Sequence, residues 1–237
     1  MSIDLKASWE IFRNEFVVNR GYTRVLTGLE HTLIIAVVGL VIGIVLGTLL
    51  AVTKVVPQNT KGAKIFSKLT DIYVGLFRGT PMVVQLLLMY YVLFPLIGLA
   101  KIPALVVAII AFGMNSGAYV CEIMRSGILS VDKGQMEAGR ALGMGYGRTM
   151  VKIIIPQAVK NILPTLGNEF ISLVKETSVA SFITVIDLTK AFQQIGSATY
   201  DYFIPYIVLA LCYLVIVYII TLIVKLIERR MRASDRR

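Results

Sequence analysis

Asn115, Tyr119 and Glu122 recur at helical spacing, with Ser116 beside them, inside a stretch that is otherwise apolar. A second stretch repeats the pattern with Thr165, Asn168, Glu169, Ser172, Lys175 and Glu176. Residues three and four apart lie on one face of a helix, so each set forms a polar stripe. A charge in hydrocarbon costs about 2.5–3.5 kcal/mol or more, so such stripes face protein or water rather than lipid. They are the candidates for a passage through which a polar solute crosses a membrane. The competing reading is scaffolding, in which Glu169 or Glu176 neutralises Lys175 and Glu122 pairs with Arg125.

Other chemistries are poorly supplied. His31 is the only histidine, and Cys121 and Cys212 both fall in apolar segments, which leaves little for a metal site or a disulfide framework. No Gly-x-x-x-x-Gly-Lys-Ser/Thr phosphate loop occurs, so the chain carries no ATPase site of that kind. The net charge of +10 comes from basic residues set in loops between apolar segments, which fits membrane orientation better than nucleic-acid binding.

The elements that must hold these stripes are membrane spans. The 237 residues are 57% hydrophobic and 16% charged, whereas soluble domains are roughly half apolar and a quarter charged. Apolar segments run over about His31–Thr53, Pro81–Leu99, Pro103–Met124, Ile162–Ile186 and Tyr202–Ile227, near the length a bilayer requires. Lysines and arginines concentrate between the first and second, between the third and fourth, and after the fifth, where Arg229, Arg230, Arg232, Arg236 and Arg237 follow one another. The loops between hold only Lys101 and Lys190, so the positive-inside bias puts the amino terminus outside and the carboxyl terminus in the cytoplasm. Residues 1–30 do not read as a cleaved signal peptide. Their alternation of Trp9, Ile11, Phe12, Phe16 and Val17 with charges predicts an amphipathic surface segment, with a flexible terminus as the alternative.

Local signals mark several ends. Thr27 with Glu30 predicts a capping box for the first span, and Thr80 predicts an N-cap with Pro81 at the first helical position. Gly39, Gly43 and Gly47 form a small-residue stripe along which another helix can come close. The loop from Arg125 to Asn161 is too long for a plain connection and reads as two short helices. Asp132 and Gln135 cap the first, Met136–Leu142 carries it, and Gly143 ends it left-handed. The chain then restarts at Tyr146, ahead of Pro156.

Within that loop Glu137-Ala138-Gly139, three residues, Gly143, nine residues and Ile153-Ile154-Ile155-Pro156 resembles the cytoplasmic motif of ABC importer permeases. Gly139 stands where alanine is usual and Ile155 where leucine is usual, and both keep the small or apolar character. Phe77-Arg78-Gly79-Thr80-Pro81, the segment Ser116–Arg125 and the segment Asn168–Ser178 are similar to the polar amino acid branch of that family. The resemblance, covering about Leu26 to Leu226, implies an all-α membrane protein of five transmembrane helices with a cytoplasmic coupling-helix loop. Residues 31–227 are then a single permease domain, with the coupling loop at 130–156 and a basic cytoplasmic tail at 228–237. It implies a dimer of permease subunits, homomeric or heteromeric, two ATPase subunits that bind ATP and Mg, and an external substrate-binding protein. No cofactor is expected in this chain.

Under that resemblance Glu137, Ala138, Gly139, Ala141, Leu142, Gly143 and Met144 are the expected ATPase-coupling set: a charge, small residues and apolar side chains suited to a cleft on a soluble partner. Asn115, Ser116, Tyr119, Glu122, Asn168, Glu169, Ser172 and Lys175 are the expected substrate pathway. An amino acid needs an acceptor for its ammonium and a donor for its carboxylate, and Glu169, Lys175, Asn115 and Asn168 offer both. Glu169 tilts the expectation toward a cationic side chain. The rival from another class is an ion-coupled secondary transporter, which calls for inverted repeats and broken helices.

Overall fold

A computed structural model describes residues 4–233, with side chains described up to Met231. Arg236 and Arg237 of the expected basic tail lie outside the described residues. Among the described residues the structure is helical throughout, with no strand. Helix α1 (Leu5–Arg13) runs into a π-turn at Asn14–Val18, and α2 spans Gly21–Val55. Helix α3 (Lys61–Gly79) and α4 (Met82–Leu96, with a π-turn at Met89–Leu93) form a pair bent by 107°. Helix α5 (Ala104–Leu129) leads to α6 (Lys133–Ala141) and the single turn α7 (Tyr146–Thr149). A π-turn at Met150–Ile154 opens α8 (Ile155–Glu176), which passes through a 3₁₀ stretch at Thr177–Ile183 toward α9 (Leu188–Thr199) and α10 (Phe203–Ala233).

Among the described residues three helices, α2, α5 and α10, are long and apolar enough to cross a bilayer, and a fourth span results if the bent pair α3–α4 is counted as one. The expected segment at 162–186 is not one helix. It comprises most of α8, whose Lys160, Glu169, Lys175 and Glu176 lower its apolarity, and then the tighter 3₁₀ stretch. The bend between α3 and α4 has a local cause. Thr80 precedes a proline and is therefore pushed to extended backbone, φ −124° and ψ 146°, which ends α3 at Gly79. Pro81 itself is the N-cap of α4, so the expected cap moves by one residue, and Thr80 Oγ1 instead donates back to Leu76 O at 2.8 Å. The expected capping box of Thr27 and Glu30 is also displaced. Both lie inside α2, which starts at Gly21 after Arg20 turns left-handed at φ 57°.

The residues pack as two compact units. The first comprises the residues up to Gly39, Pro81–Phe112 and Ser172–Ile219. Its core gathers Phe12, Leu188, Phe192 and Ile195, with Phe16, Val25 and Leu29 packed on them. The N-terminal segment is thus helical and anchored by one face, with Phe12 buried, while Leu5, Trp9 and Val17 stay exposed. Helix α9 is seated on α2 by polar contacts: Leu188 N donates to Thr32 Oγ1 at 3.2 Å, and His31 Nδ1 lies 2.8 Å from Ile186 O.

The second unit comprises Leu40–Thr80, Gly113–Ile171 and the residues from Ile220 on. In it α2 and α5 touch backbone to backbone, as the glycine stripe predicts. A Cβ on Gly43 would lie 2.5 Å from Ser116 Oγ, and one on Gly47 would lie 2.7 Å from Val120 Cβ. The fit is mutual, since Gly113 and Gly117 of α5 receive Ile42 and Leu46 of α2. Helix α3 is tied to the end of α2 by a Thr53–Thr70 hydroxyl pair at 2.8 Å and by Lys54, which reaches Asp71 at 2.6 Å and Ser67 at 3.1 Å. In α5, 61% of the most apolar stretch is buried, against none in α10.

This packing makes Gly47→Val the damaging change. The added atoms meet the α5 backbone, and overpacking costs about 1–3 kcal/mol. Gly62→Ala, whose Cβ meets nothing within 4 Å, should shift stability by less than about 1 kcal/mol. Melting temperatures of the purified variants test the pair, and an unchanged Gly47→Val protein would show that the helices are not in contact here.

Candidate functional site

Two places in the second unit combine unusual residues with a defined geometry. The first is the elbow of α6 and α7. Asp132 caps α6 by accepting from Gly134 N at 2.6 Å, and Gly143, at φ 79°, ends it in the left-handed conformation that glycine adopts without strain. Gln135 does not close a capping box; its Oε1 accepts from Gln157 Nε2 at 3.3 Å. Three further contacts pin the elbow. Tyr146 Oη donates to Val55 O at the end of α2 at 2.9 Å, and Asn161 Nδ2 donates to Ser130 Oγ at 2.9 Å. Gly139 is buried so closely on Thr149 that a Cβ there would lie 2.5 Å from Thr149 Cγ2. Burial pushes the Tyr146 phenol up, so it remains a donor across the physiological range.

The π-turn at Met150–Ile154 lies just ahead of Pro156, where the missing N–H and the ring would break an ordinary α-turn. The chain therefore carries the proline in the first turn of α8 and continues rather than stopping. Of the expected coupling residues, Glu137, Ala138, Ala141, Leu142 and Gly143 are exposed, Leu142 to 82%. Met144 is half-buried, and Gly139 faces its own chain. The small residue at 139 thus serves the internal packing of the elbow, and the outward face of α6 carries the charge and the apolar side chains.

The second place is the polar stripe of α5. Asn115 is buried and its Nδ2 donates to Phe77 O at 3.4 Å, while Tyr73 Oη donates to Met114 O at 2.5 Å. Ser116, fully buried, donates to Glu169 Oε1 at 3.0 Å, which brings the expected stripes of α5 and α8 together. Glu122 is held by Arg125 three residues on, with Nη2–Oε2 at 2.8 Å and Nε at 3.3 Å from both carboxylate oxygens. Arg78 joins them: its guanidinium stands 5.4 Å over the Tyr119 ring, with Nη1 4.0 Å from Glu122 Oε2. The pairing of Glu122 with Arg125 matches the scaffolding reading for that residue. Asn168 and Lys175 are exposed and Ser172 is half-buried; Ser172 and Lys175 belong to the first unit.

Sequence reasoning missed two residues here. Arg78 counts toward loop charge in the sequence, and only the packing of α3 on α5, through Tyr73 on Met114 and Asn115 on Phe77, brings it onto Tyr119. Tyr146 reads only as the start of the second short helix, and its partner is a main-chain carbonyl 91 residues away, which no spacing rule reveals. The groove between Leu40, Ile44, Leu163, Gly167 and Val224 is apolar and does not suit a polar solute. A polar cleft lies instead at the elbow, between Ser130, Asp132, Gln157, Lys160 and Asn161.

An all-helical membrane chain with a polar stripe inside and a pinned, outward-facing elbow at its base is a transport subunit of the permease class. The chain belongs to the family described as the inner membrane component of binding-protein-dependent transport systems, which matches residues 39–233. It is 42% identical over 211 residues to the arginine transport system permease protein ArtQ of Bacillus subtilis (strain 168), covering 89% of this chain and 94% of that one. It is 41% identical over 210 residues to a putative glutamine transport system permease protein GlnP of Rickettsia bellii (strain RML369-C), with 89% and 94% covered. Among solved structures, one described as the crystal structure of an amino acid ABC transporter with histidines has a TM-score of 0.82 at 39% identity, covering 97% of this chain and all of that one. A chain of the MetNI methionine ABC transporter, captured in an inward-facing conformation, has a TM-score of 0.69 at 22% identity and shares the fold. Nothing in these relatives supports the rival ion-coupled carrier.

The Glu122–Arg125 contact gives a stability test. Glu122→Gln leaves Arg125 without its carboxylate and should cost about 1–3 kcal/mol, less than for a fully buried pair because both side chains keep some solvent. The double variant Glu122→Gln with Arg125→Gln should cost less than the sum of the two single changes. Strict additivity in thermal unfolding would show that the two side chains do not interact.

Proposed function

We propose that this chain is the permease subunit of an ATP-driven importer for polar amino acids. ATP and Mg are bound by a separate ATPase dimer, an external binding protein delivers the substrate, and a second permease subunit, identical or related, completes the passage. The amino terminus lies outside and the carboxyl terminus in the cytoplasm, following the distribution of Lys and Arg. The observation that carries this reading is the elbow: a nine-residue helix whose outward face offers Glu137, Ala138, Ala141 and Leu142. Leu142, 82% exposed at the end of that helix, offers an apolar side chain that a cleft on a partner would cover.

The amino acid assignment rests on the relatives, whose names specify arginine and glutamine, and a third, from Bacillus subtilis (strain 168), whose name specifies L-cystine. The side chains differ, and the α-ammonium and α-carboxylate are common to all three. Asn115, Ser116 and Glu169, with Tyr119 one turn on and Asn168 beside Glu169 in the same unit, supply acceptors and donors for such a solute. Alternating access follows when the ATPase dimer binds the elbow differently in its open and closed states.

Two substitutions test the halves of this reading. Glu137→Lys reverses the charge presented by α6, so ATPase subunits should no longer co-purify and uptake in proteoliposomes should fall by about tenfold or more. Retention of both would remove the elbow from the coupling role. Glu169→Gln should leave assembly intact and raise the KM for a cationic amino acid by about tenfold; unaltered uptake and selectivity would take Glu169 out of the passage.

A further inference from the structure

Beside the elbow, within the second unit, lies a groove that neither the coupling face nor the polar stripe uses. One wall is the last two turns of α2, where Thr48 and Val52 are followed by Val56, whose N–H still donates to Val52 O at 3.1 Å. The other wall is Ile155, Val159 and Ile162 of α8. Each set recurs at third or fourth positions and so forms one helix face. The most deeply buried lining residues between the walls are small, Ala51 at 2% exposure and Ala158 at 0%, so no large side chain fills the space. The cavity measures about 350 Å³, within the range of about 300–1,000 Å³ in which small ligands are held. Its lining is apolar apart from two hydroxyls, and that of Tyr146 is spent on Val55 O at 2.9 Å. The walls are open as well as apolar: Val52 is 53% exposed and Val159 40%.

The groove changes surroundings along its length. The first expected span ends at Thr53 and the fourth begins at Ile162, so Thr48 and Ile162 stand at membrane depth, while Val56, Val159 and Ile155 lie beyond it on the side of the elbow. From Thr48 to Val56 the wall runs about 12 Å along the helix axis. The chain around the outer end is positive throughout. Residues 55–70 contain Lys61, Lys64 and Lys68, residues 138–168 contain Arg140, Arg148, Lys152 and Lys160, and neither stretch holds an aspartate or glutamate. Lys152 is exposed and precedes Ile155 by three residues, which sets it on the same side of the chain one turn nearer the elbow; Arg148, four residues earlier, is exposed too. An occupant that is apolar over several methylenes and then negative at the cytoplasmic boundary has the build of an acidic phospholipid. A neutral apolar molecule leaves the basic end unused, and a free anion leaves the walls uncovered.

We propose that this groove holds an acyl chain of an anionic phospholipid from the cytoplasmic leaflet, with its headgroup at Lys152 and Arg148. The inference rests on the orientation given in the reading above and adds a lipid to the seat of the elbow. Tyr146 and Met150 of the elbow line the same groove as Met124 and Ile128 of α5. An acyl chain lying there fills the space between the elbow, α2 and α5, and shields the Tyr146–Val55 hydrogen bond from water.

The test takes the purified permease–ATPase complex, stripped of native lipid in a zwitterionic detergent, and counts bound lipid by native mass spectrometry. The probes are dioleoyl phosphatidylglycerol, dioleoyl phosphatidylcholine and glycerol phosphate, the last being an anionic headgroup without acyl chains. The wild-type complex should retain phosphatidylglycerol about tenfold more tightly than phosphatidylcholine and should not bind glycerol phosphate. Lys152→Gln combined with Arg148→Gln should bring the two lipids to near-equal affinity. Val159→Trp, or Val52→Trp from the opposite wall should the first not assemble, fills the groove and should weaken both lipids by about tenfold. Leu69→Trp, at a 56% exposed position of α3 outside the groove, should change neither. A wild-type complex that retains no lipid or shows no preference overturns the inference, as does glycerol phosphate binding as tightly as the lipid, or an assembled groove variant that keeps wild-type retention. The orientation is checked separately by Lys152→Cys, compared with wild type, using a membrane-impermeant maleimide. Labelling only in opened cells supports the cytoplasmic leaflet; labelling of intact cells overturns the orientation and the choice of leaflet, whatever the lipid counts.

Discussion

The arrangement depends on a constraint of the lipid solvent: a charge inside the bundle persists only where an opposite charge, a hydrogen-bond donor or water meets it. Glu169 meets Ser116, and Glu122 meets Arg125 with Arg78 beyond it. The first of these contacts needs the Ser116 hydroxyl held firmly in place, and the glycines provide that firmness. Gly43 and Gly47 bring the α2 backbone against α5 at Ser116 and Val120, and Gly113 and Gly117 return the fit from the other side. With α2 pressed so closely on one side of α5, Ser116 has little freedom to turn away from Glu169. A small-residue stripe that looks like pure packing in the sequence thereby fixes where a polar group points.

The same economy shapes the elbow. A nine-residue helix standing off a bundle would hinge freely if its two chain connections were its only ties, and a free hinge transmits no force. Here Asn161 joins Ser130, Gln157 joins Gln135, and Tyr146 reaches the last turn of α2. The Tyr146 contact matters most, because α2 is neither of the helices that α6 is joined to through the chain. Displacement of the elbow therefore loads α2 as well as α5 and α8.

Much of this was legible in the sequence. The helical class, the short helix of the loop with its Asp132 cap and left-handed Gly143, the close-packing glycines and the two polar stripes all follow from side-chain chemistry at local spacing, which a single chain displays. Legibility failed where backbone geometry or distant partners decide. Thr27 and Glu30 have the pattern of a capping box, yet the preceding residues have no reason to stop being helical, and α2 begins at Gly21. Pro156 looks like a stop, but a π-turn accommodates it. The segment between the first two expected spans reads as a basic loop because of its lysines, although its apolar residues build α3. Gly139 reads as a small residue for a partner's close approach, and the structure packs it on Thr149, since spacing shows that a residue is small and not which neighbour requires it to be so.

The elbow and the polar stripe belong to one compact unit, and this bears on how a pull at one is felt at the other. Helix α5 carries Tyr119 and Glu122 and runs without interruption to Leu129, three residues before the cap of α6. Arg125 rides on the same helix, so its pairing with Glu122 is preserved however α5 moves. Arg78 belongs to α3, which is bound to α2 through Thr70, Asp71 and Ser67. A shift of α5 against α3 leaves the Glu122–Arg125 pair whole and changes the contacts between the two helices: Arg78 on Tyr119 and Glu122, Tyr73 on Met114 and Asn115 on Phe77. The 4.0 Å approach of Arg78 to Glu122 is the longest of the polar contacts among them and yields first, while the short bond from Tyr73 to Met114 keeps the two helices in register.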